Sequence, residues 1–170
     1  MIIDLANVVA RTKAIELALS PEDLDLDIDG AALIGEVKFS GETERLNEKA
    51  HVRGKIEAEV RVDCTRCLEP VESKFEISFD DVFVDPADAP AEIEVILGVE
   101  ELDESIAIDG KIDVAEVVRE QILLALPDQV FCKEDCKGLC PKCGSNRNLL
   151  DCRCIEDEID PRWSGLKNLK

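Results

Sequence analysis

At 170 residues the chain has room for one medium domain with an appendage, and its formal charge of −19 lies entirely in residues 1–127, where 31 Asp/Glu outnumber 12 Lys/Arg; residues 128–170 are neutral, with 8 of each. A body this acidic repels nucleic acid and attracts basic partners, unless its surplus acid serves solubility alone. Met1-Ile2-Ile3-Asp4 carries an acid where a signal peptide carries basic residues, and no apolar run approaches the roughly 18 residues of a membrane span, so a cytoplasmic protein with reduced thiols is expected.

In chain order, residues 1–12 carry a weak signal for an initial helix or strand. From Lys13 the pattern has period two. Ile15, Leu17 and Leu19 alternate with Ala14, Glu16 and Ala18, and Leu24, Leu26 and Ile28 alternate with aspartates. Leu33, Gly35, Val37 and Phe39 continue it. The best strand spans 51–64, where Val52, Ile56, Ala58, Val60 and Val62 lead into Cys64. Phe75, Ile77 and Phe79 follow, and Asp80-Asp81 predicts a bulge before Val82 and Val84. One apolar and one charged face per strand describe an antiparallel sheet with one wet face, or a small barrel.

Asp85 to Pro90 reads as a loop and 100–104 as an acidic connection. Ser105 to Ile108 reads as a short strand and Asp109-Gly110 as a tight turn. A helix is predicted over 114–125, capped by Asp113 with Glu116 as capping-box partner and stopped by Pro127. Its stripe is Val114, Val117, Val118, Ile122 or Gln121, Leu124 and Ala125, which serves to cover the sheet. After Pro127 apolar periodicity disappears through Cys154. Residues 155–170 end the chain, with Trp163 the single Trp and mobility expected unless it docks.

Eight cysteines stand as four short pairs: Cys64 and Cys67, Cys132 and Cys136, Cys140 and Cys143, and Cys152 and Cys154. In a reducing compartment such clusters are metal ligands more often than disulfides. Cys140-Pro-Lys-Cys143-Gly144 has the form of a zinc knuckle, with Gly144 free to take positive φ after the second ligand. The preferred assignment has two zinc ions. Cys140, Cys143, Cys152 and Cys154 make a local site, and Cys64, Cys67, Cys132 and Cys136 tie the end of a strand to the segment leaving the helix. The alternative places one zinc within the last six cysteines and leaves Cys64 and Cys67 as free thiols.

Catalysis has little support. His51, the single histidine, falls on the polar phase of a strand, and there is no Tyr, no glycine-rich phosphate loop and no nucleophile–base pair. An all-cysteine site leaves no open metal position. A redox role would need a depressed thiol pKa; Arg66 would help a little, but Pro70 and another strand follow Cys67 rather than a helix.

Three motifs carry a resemblance. Val62 to Pro70 resembles the CxRCLxP signature of the YceD family, linked to accumulation of large-subunit ribosomal RNA. Asp113 to Pro127 resembles its second motif, and Cys132 to Gly144 the cysteine tail of many members. Asn146-Arg147-Asn148 departs from the asparagine-leucine-asparagine usual after the knuckle. Members shortened in the tail keep the early pair, which favours the cross-domain site. The resemblance implies a non-enzymatic role in ribosome biogenesis. The fold expected is α+β: a mostly antiparallel sheet or small barrel packed by one main helix in residues 1–127, a zinc-binding cysteine tail over 128–160, and a flexible end over 161–170. The expected partner is a basic ribosomal protein or pre-ribosomal particle, with RNA contact confined to the tail at Lys137, Lys142, Arg147 and Arg153. A redox-switched zinc chaperone and a zinc-ribbon RNA binder are the alternatives.

Overall fold

The computed structural model describes residues 1–47, 49–87, 103–154 and 162. Among these, strands β1 (Ile2–Asp4), β2 (Lys13–Leu19), β3 (Ala31–Leu33), β4 (Val37–Leu46), β5 (Lys49–Asp63), β6 (Pro70–Val84), β7 (Glu104–Ile106) and β8 (Lys111–Asp113) precede helix α1 (Val114–Ala125). A six-stranded sheet runs β2-β4-β5-β6-β7, with β3 also on β5, and β1 pairs with β8. All pairings are antiparallel except β6 with β7. Among the described residues the fold is thus a mostly antiparallel sheet with one α-helix, as the alternation predicts.

The alternation works because successive side chains of a strand point to opposite faces. In β5, Val52, Ile56, Ala58 and Val60 are buried, while Glu57 and Arg61 face water. Helix α1 lays Val114, Val117, Val118 and Ile122 onto this face. Each fully buried aliphatic side chain of this kind contributes about 1.5–3 kcal/mol. Phe39 lies across the paired Gly41 and Gly54, where an added Cβ would come within 2.5 Å and 2.6 Å of its ring. The ring stacks on Phe79 with centroids 5.8 Å apart. Those glycines are sites of close approach, and the aromatic ring fills the space a side chain would take.

Several expectations are corrected. Leu24 and Leu26 are buried, but 21–28 forms no strand and Ile28 is 45% exposed. Asp23 turns the chain by accepting from Ser20 N and Oγ, and Arg119 takes the carbonyls of Asp25 and Leu26 that a neighbouring strand would need. The 33–39 run is two strands: five steps from Leu33 to Lys38 lie against three from Val60 to Glu57, with Gly35 at φ +79° in the break. No bulge occurs at Asp80-Asp81. The register runs unbroken from Ala50 opposite Phe83 to Asp63 opposite Pro70.

Asp81 therefore keeps the inward phase of Phe79 and Phe83. Burial raises its carboxyl pKa, against the opposing hydrogen bond from Gln121 of α1. Glu116 makes no capping box: Asp113 accepts from Ala115 N, while Glu116 pairs with Arg119 at 3.0 Å. Leu124 is 78% exposed, because Leu123 instead turns toward the core.

The weak signal over 1–12 resolves into β1 and a 3-10 turn at Leu5–Asn7, and Asp109-Gly110 is a tight turn with both residues at positive φ. The predicted loop beyond Ala87, the connection at 100–102, and residues 155–161 and 163–170 with Trp163 lie outside the described residues.

Candidate metal centres

The loop joining β5 to β6 is a knuckle. Cys64 N donates to Glu69 O at 2.8 Å, and Leu68 N donates to Cys64 O at 2.9 Å. The turn at Cys140 repeats this pattern. Cys140 N donates to Ser145 O and Gly144 N to Cys140 O, each at 2.8 Å. In both, the residue after the second cysteine has positive φ: 59° at Leu68 and 70° at Gly144. Glycine adopts that conformation freely; leucine does so at roughly 1–2 kcal/mol.

The sulfurs gather in two sets of four. Cys64, Cys67, Cys132 and Cys136 form one, and Cys140, Cys143, Cys152 and Cys154 the other; within each, all sulfurs lie within 4.8 Å of one another. A tetrahedral ion with metal–sulfur bonds of about 2.3 Å holds its sulfurs about 3.8 Å apart. Cys64 and Cys136 are separated by 3.8 Å and Cys67 and Cys132 by 3.5 Å, so the first set fits such an ion. Of the two arrangements left open by spacing, the structure brings together the cross-domain set. The competing arrangement, with Cys64 and Cys67 apart from the tail, is not what it holds.

The first set is embedded and the second is peripheral. Cys64, Cys67 and Cys136 are buried together against Val71 and Leu139, and only Cys132 is exposed. In the second set only Cys140 is buried. Reciprocal bonds fasten the tail beside the first knuckle: Thr65 N donates to Val130 O at 2.8 Å, and Val130 N donates to Thr65 Oγ1 at 2.9 Å. The Arg66 side chain donates to Cys136 O at 3.1 Å and lies 4.2 Å over the Phe131 ring, so its guanidinium positions the tail.

Asn148 Nδ2 donates to Cys136 Sγ at 3.3 Å, while its Oδ1 accepts from Lys137 N at 2.9 Å. Asn148 belongs to the loop closing the second knuckle, so one side chain couples the two centres. Arg147, at the departure from the family pattern, is exposed and bonds through its backbone N to Gly138 O at 2.9 Å, while the side-chain bonds are made by Asn146 and Asn148 on either side.

Electrostatics divides each set. Burial pushes the Cys64 thiol up, but N–H groups of Cys132, Arg66 and Cys67 outweigh it and bring the pKa down to about 6. Asn148 lowers that of Cys136. Burial and the neighbouring sulfurs push Cys132 up to about 12. In the second set Ser145 lowers Cys143 to about 6, while the Cys143 and Cys140 sulfurs push Cys154 up to about 12. Sulfurs this close cannot all ionise without a cation among them; a divalent ion removes that conflict.

Lys137, Lys142, Arg147 and Arg153 are exposed on the tail. His51 stays on the polar side of β5, 3.2 Å from Asp80. Sequence reasoning missed Asn148, Thr65 and Leu68. Asparagine after a cysteine knuckle was the one available signal.

Residues 52–170 match the family described as "Large ribosomal RNA subunit accumulation protein YceD". An uncharacterized protein of Mycobacterium tuberculosis is 29% identical over 98% of this chain and 79% of its own length. YlbN of Bacillus subtilis is 28% identical over 80% of this chain and 75% of its own. A Zea mays protein named large ribosomal RNA subunit accumulation protein YCED homolog 1, chloroplastic, is 25% identical over 98% of this chain and 63% of its own. No solved structure matches. With its three motifs on the β5–β6 loop, helix α1 and the cysteine tail, this chain belongs to the YceD family of large ribosomal RNA subunit accumulation proteins.

Proposed function

We propose that the protein is a cytoplasmic, non-enzymatic ribosome-biogenesis factor that supports synthesis, processing or accumulation of large-subunit ribosomal RNA by binding a basic ribosomal protein, with two structural zinc ions holding its tail. Zinc is favoured over other metals because four thiolates in a closed tetrahedral set suit a borderline-soft ion and not magnesium or calcium. Cys64, Cys67, Cys132 and Cys136 hold one ion, and Cys140, Cys143, Cys152 and Cys154 the other. With four protein ligands each, neither offers a position for substrate.

The observation that carries the partner is the division of charge. The body contains 31 Asp/Glu against 12 Lys/Arg. Four of those cations are engaged with carboxylates of the body itself: Arg53 with Glu42 and Glu44, Lys55 with Glu76, Lys49 with Glu104, and Arg119 with Glu116. The surplus carboxylates face water and favour a basic protein over a polyanion.

The test is capture with the purified metal-loaded protein, offered large-subunit ribosomal proteins and protein-free large-subunit RNA separately across a salt series. Capture of one or more basic ribosomal proteins, weakening as salt rises, is expected. Tight, salt-sensitive binding to the naked RNA would overturn the reading and move the contact to the tail around Lys137, Lys142, Arg147 and Arg153.

A further inference from the structure

A groove of about 630 Å³ runs between the first knuckle, the end of the 21–28 segment and the C-terminal end of α1. Ile28, Leu68, Leu123 and Leu126 give it apolar walls, and Cys64 lies in its lining. Asp29, Asp63 and Asp128 line it as well, and no Lys, Arg or His does. Among the described residues none of these aspartates is paired with a cation.

Leu68 sharpens the reading. It occupies the position held by Gly144 in the second knuckle, with the same positive φ and the same backbone bonds. The turn therefore does not need a leucine, and the leucine makes the turn harder to form. Nor does the side chain serve the core, since it is 60% exposed and absent from both buried clusters. A strained backbone and a solvent-facing apolar side chain at one residue, with no place in the core among the described residues, point to an external partner.

We propose that this groove docks a basic segment of a protein partner, with an aliphatic or aromatic side chain of that segment packed on Leu68 and its Lys or Arg residues over Asp29, Asp63 and Asp128. The apolar walls and uncompensated carboxylates select that chemistry together. A purely apolar peptide leaves the three aspartates unpaired, and a nucleic acid is repelled by them. The four-sulfur set at Cys64 holds one wall against another, because the tail segment entering at Asp128 is fastened beside Leu68 through Val130 and Thr65. The identity of the partner as a ribosomal protein rests on the function proposed above; the site does not.

The test titrates the metal-loaded full chain, followed by amide NMR, with an alternating lysine–leucine peptide and with an all-lysine peptide of equal charge. Shifts are expected at 28–31, Leu68 and 126–128, with the all-lysine peptide bound about tenfold more weakly or worse. Leu68→Gly and Leu68→Ala should each lose about tenfold in affinity for the lysine–leucine peptide while keeping full metal content, and Asp29→Asn/Asp63→Asn/Asp128→Asn should lose its salt dependence. Unchanged affinity in both Leu68 variants, shifts centred elsewhere, or a contact between Trp163 and Leu68 showing that the chain's own end fills the groove would overturn it. Capture of a ribosomal protein equally by Leu68→Gly would sink the groove and leave the proposed function. Peptide binding as expected without any ribosomal capture would do the reverse.

Discussion

The two knuckles share a backbone and differ in what surrounds them. The first closes a hairpin of two 15-residue strands, so its sulfurs sit against a completed sheet, and Cys64, Cys67 and Cys136 are buried. The second closes on residues of its own loop, and Cys143 and Cys154 remain exposed. The same turn thus serves two ends. At the hairpin it joins body to tail; in the tail it shapes a loop whose Asn148 reaches back to Cys136. The difference teaches that a cysteine turn's structural consequence depends less on the turn than on the rigidity of what carries it.

The largest contrast should come from breaking one centre at a time. Cys64→Ser should remove one ion and detach residues 128–136. It should destabilise the protein by about 3–5 kcal/mol, as happens when one partner leaves a buried charged cluster. Cys143→Ser should also remove one ion but leave the melting of the sheet and α1 nearly unaltered. Native mass spectrometry and thermal unfolding read both. Equal losses of stability would erase the distinction between the embedded and the peripheral centre. A chelator should unfold the tail and spare the circular dichroism of the sheet and helix, whose core of Phe39, Val52, Ile56 and Ile122 contains no cysteine.

Asn148 tests whether the centres are coupled. Its amide supports a sulfur of the first set from a loop of the second. Asn148→Ala should weaken the first ion about 10–100-fold, the scale of losing a partner behind a metal ligand, and leave the second alone. Competition against a chromogenic chelator separates the two. Equal weakening of both would assign Asn148 to general folding of the tail.

Acidity should act alike on both centres, which makes it a control. Each set contains one thiol pushed up to about 12, Cys132 in the first and Cys154 in the second. At neutral pH those thiols hold their protons, so binding an ion must displace at least one proton per set. Affinity should therefore rise with pH, about tenfold per unit for each proton released, and fall on acidification. Calorimetry in buffers of different ionisation enthalpy counts the protons. A flat pH dependence at either centre would contradict its thiolate assignment.

The smallest effect comes from exchanging the turn residues. Leu68→Gly should stabilise the first knuckle by about 0.5–1 kcal/mol, the left-handed strain relieved less the entropy glycine adds to the unfolded chain. Gly144→Ala should weaken the second by about 1–2 kcal/mol. Urea unfolding with metal present would measure both. A destabilised Leu68→Gly would mean that this leucine contributes packing within the chain.

How much was legible depended on whether a signal was local. The alternation of Val52 to Val62 gives β5, because the strand's own period sorts its side chains between core and water. Asp113 and Pro127 bracket α1 for equally local reasons: one satisfies a free N–H and the other lacks one. Leu24 and Leu26 alternate as well as any strand, yet they are buried from a coil, since Asp23 turns the chain before them by accepting from Ser20 and Arg119 takes the carbonyls of Asp25 and Leu26. Asp81 looked like a slip in phase because its inward position is tolerable only with Gln121 above it.

By itself the sequence determined the strand and helix periods, the four cysteine pairs, the turn at Gly144 and the confinement of the net negative charge to residues 1–127, because each depends on spacing or composition along the chain. Tertiary structure decided which pairs meet. Cys64 reaches Cys136, 72 residues away, because the unbroken β5–β6 register brings the hairpin loop to the point where the tail returns from α1. It also decided that Leu68 holds a glycine's conformation beside a groove and that Asn148 links two centres. Those relations exist only between segments, and no local period encodes them.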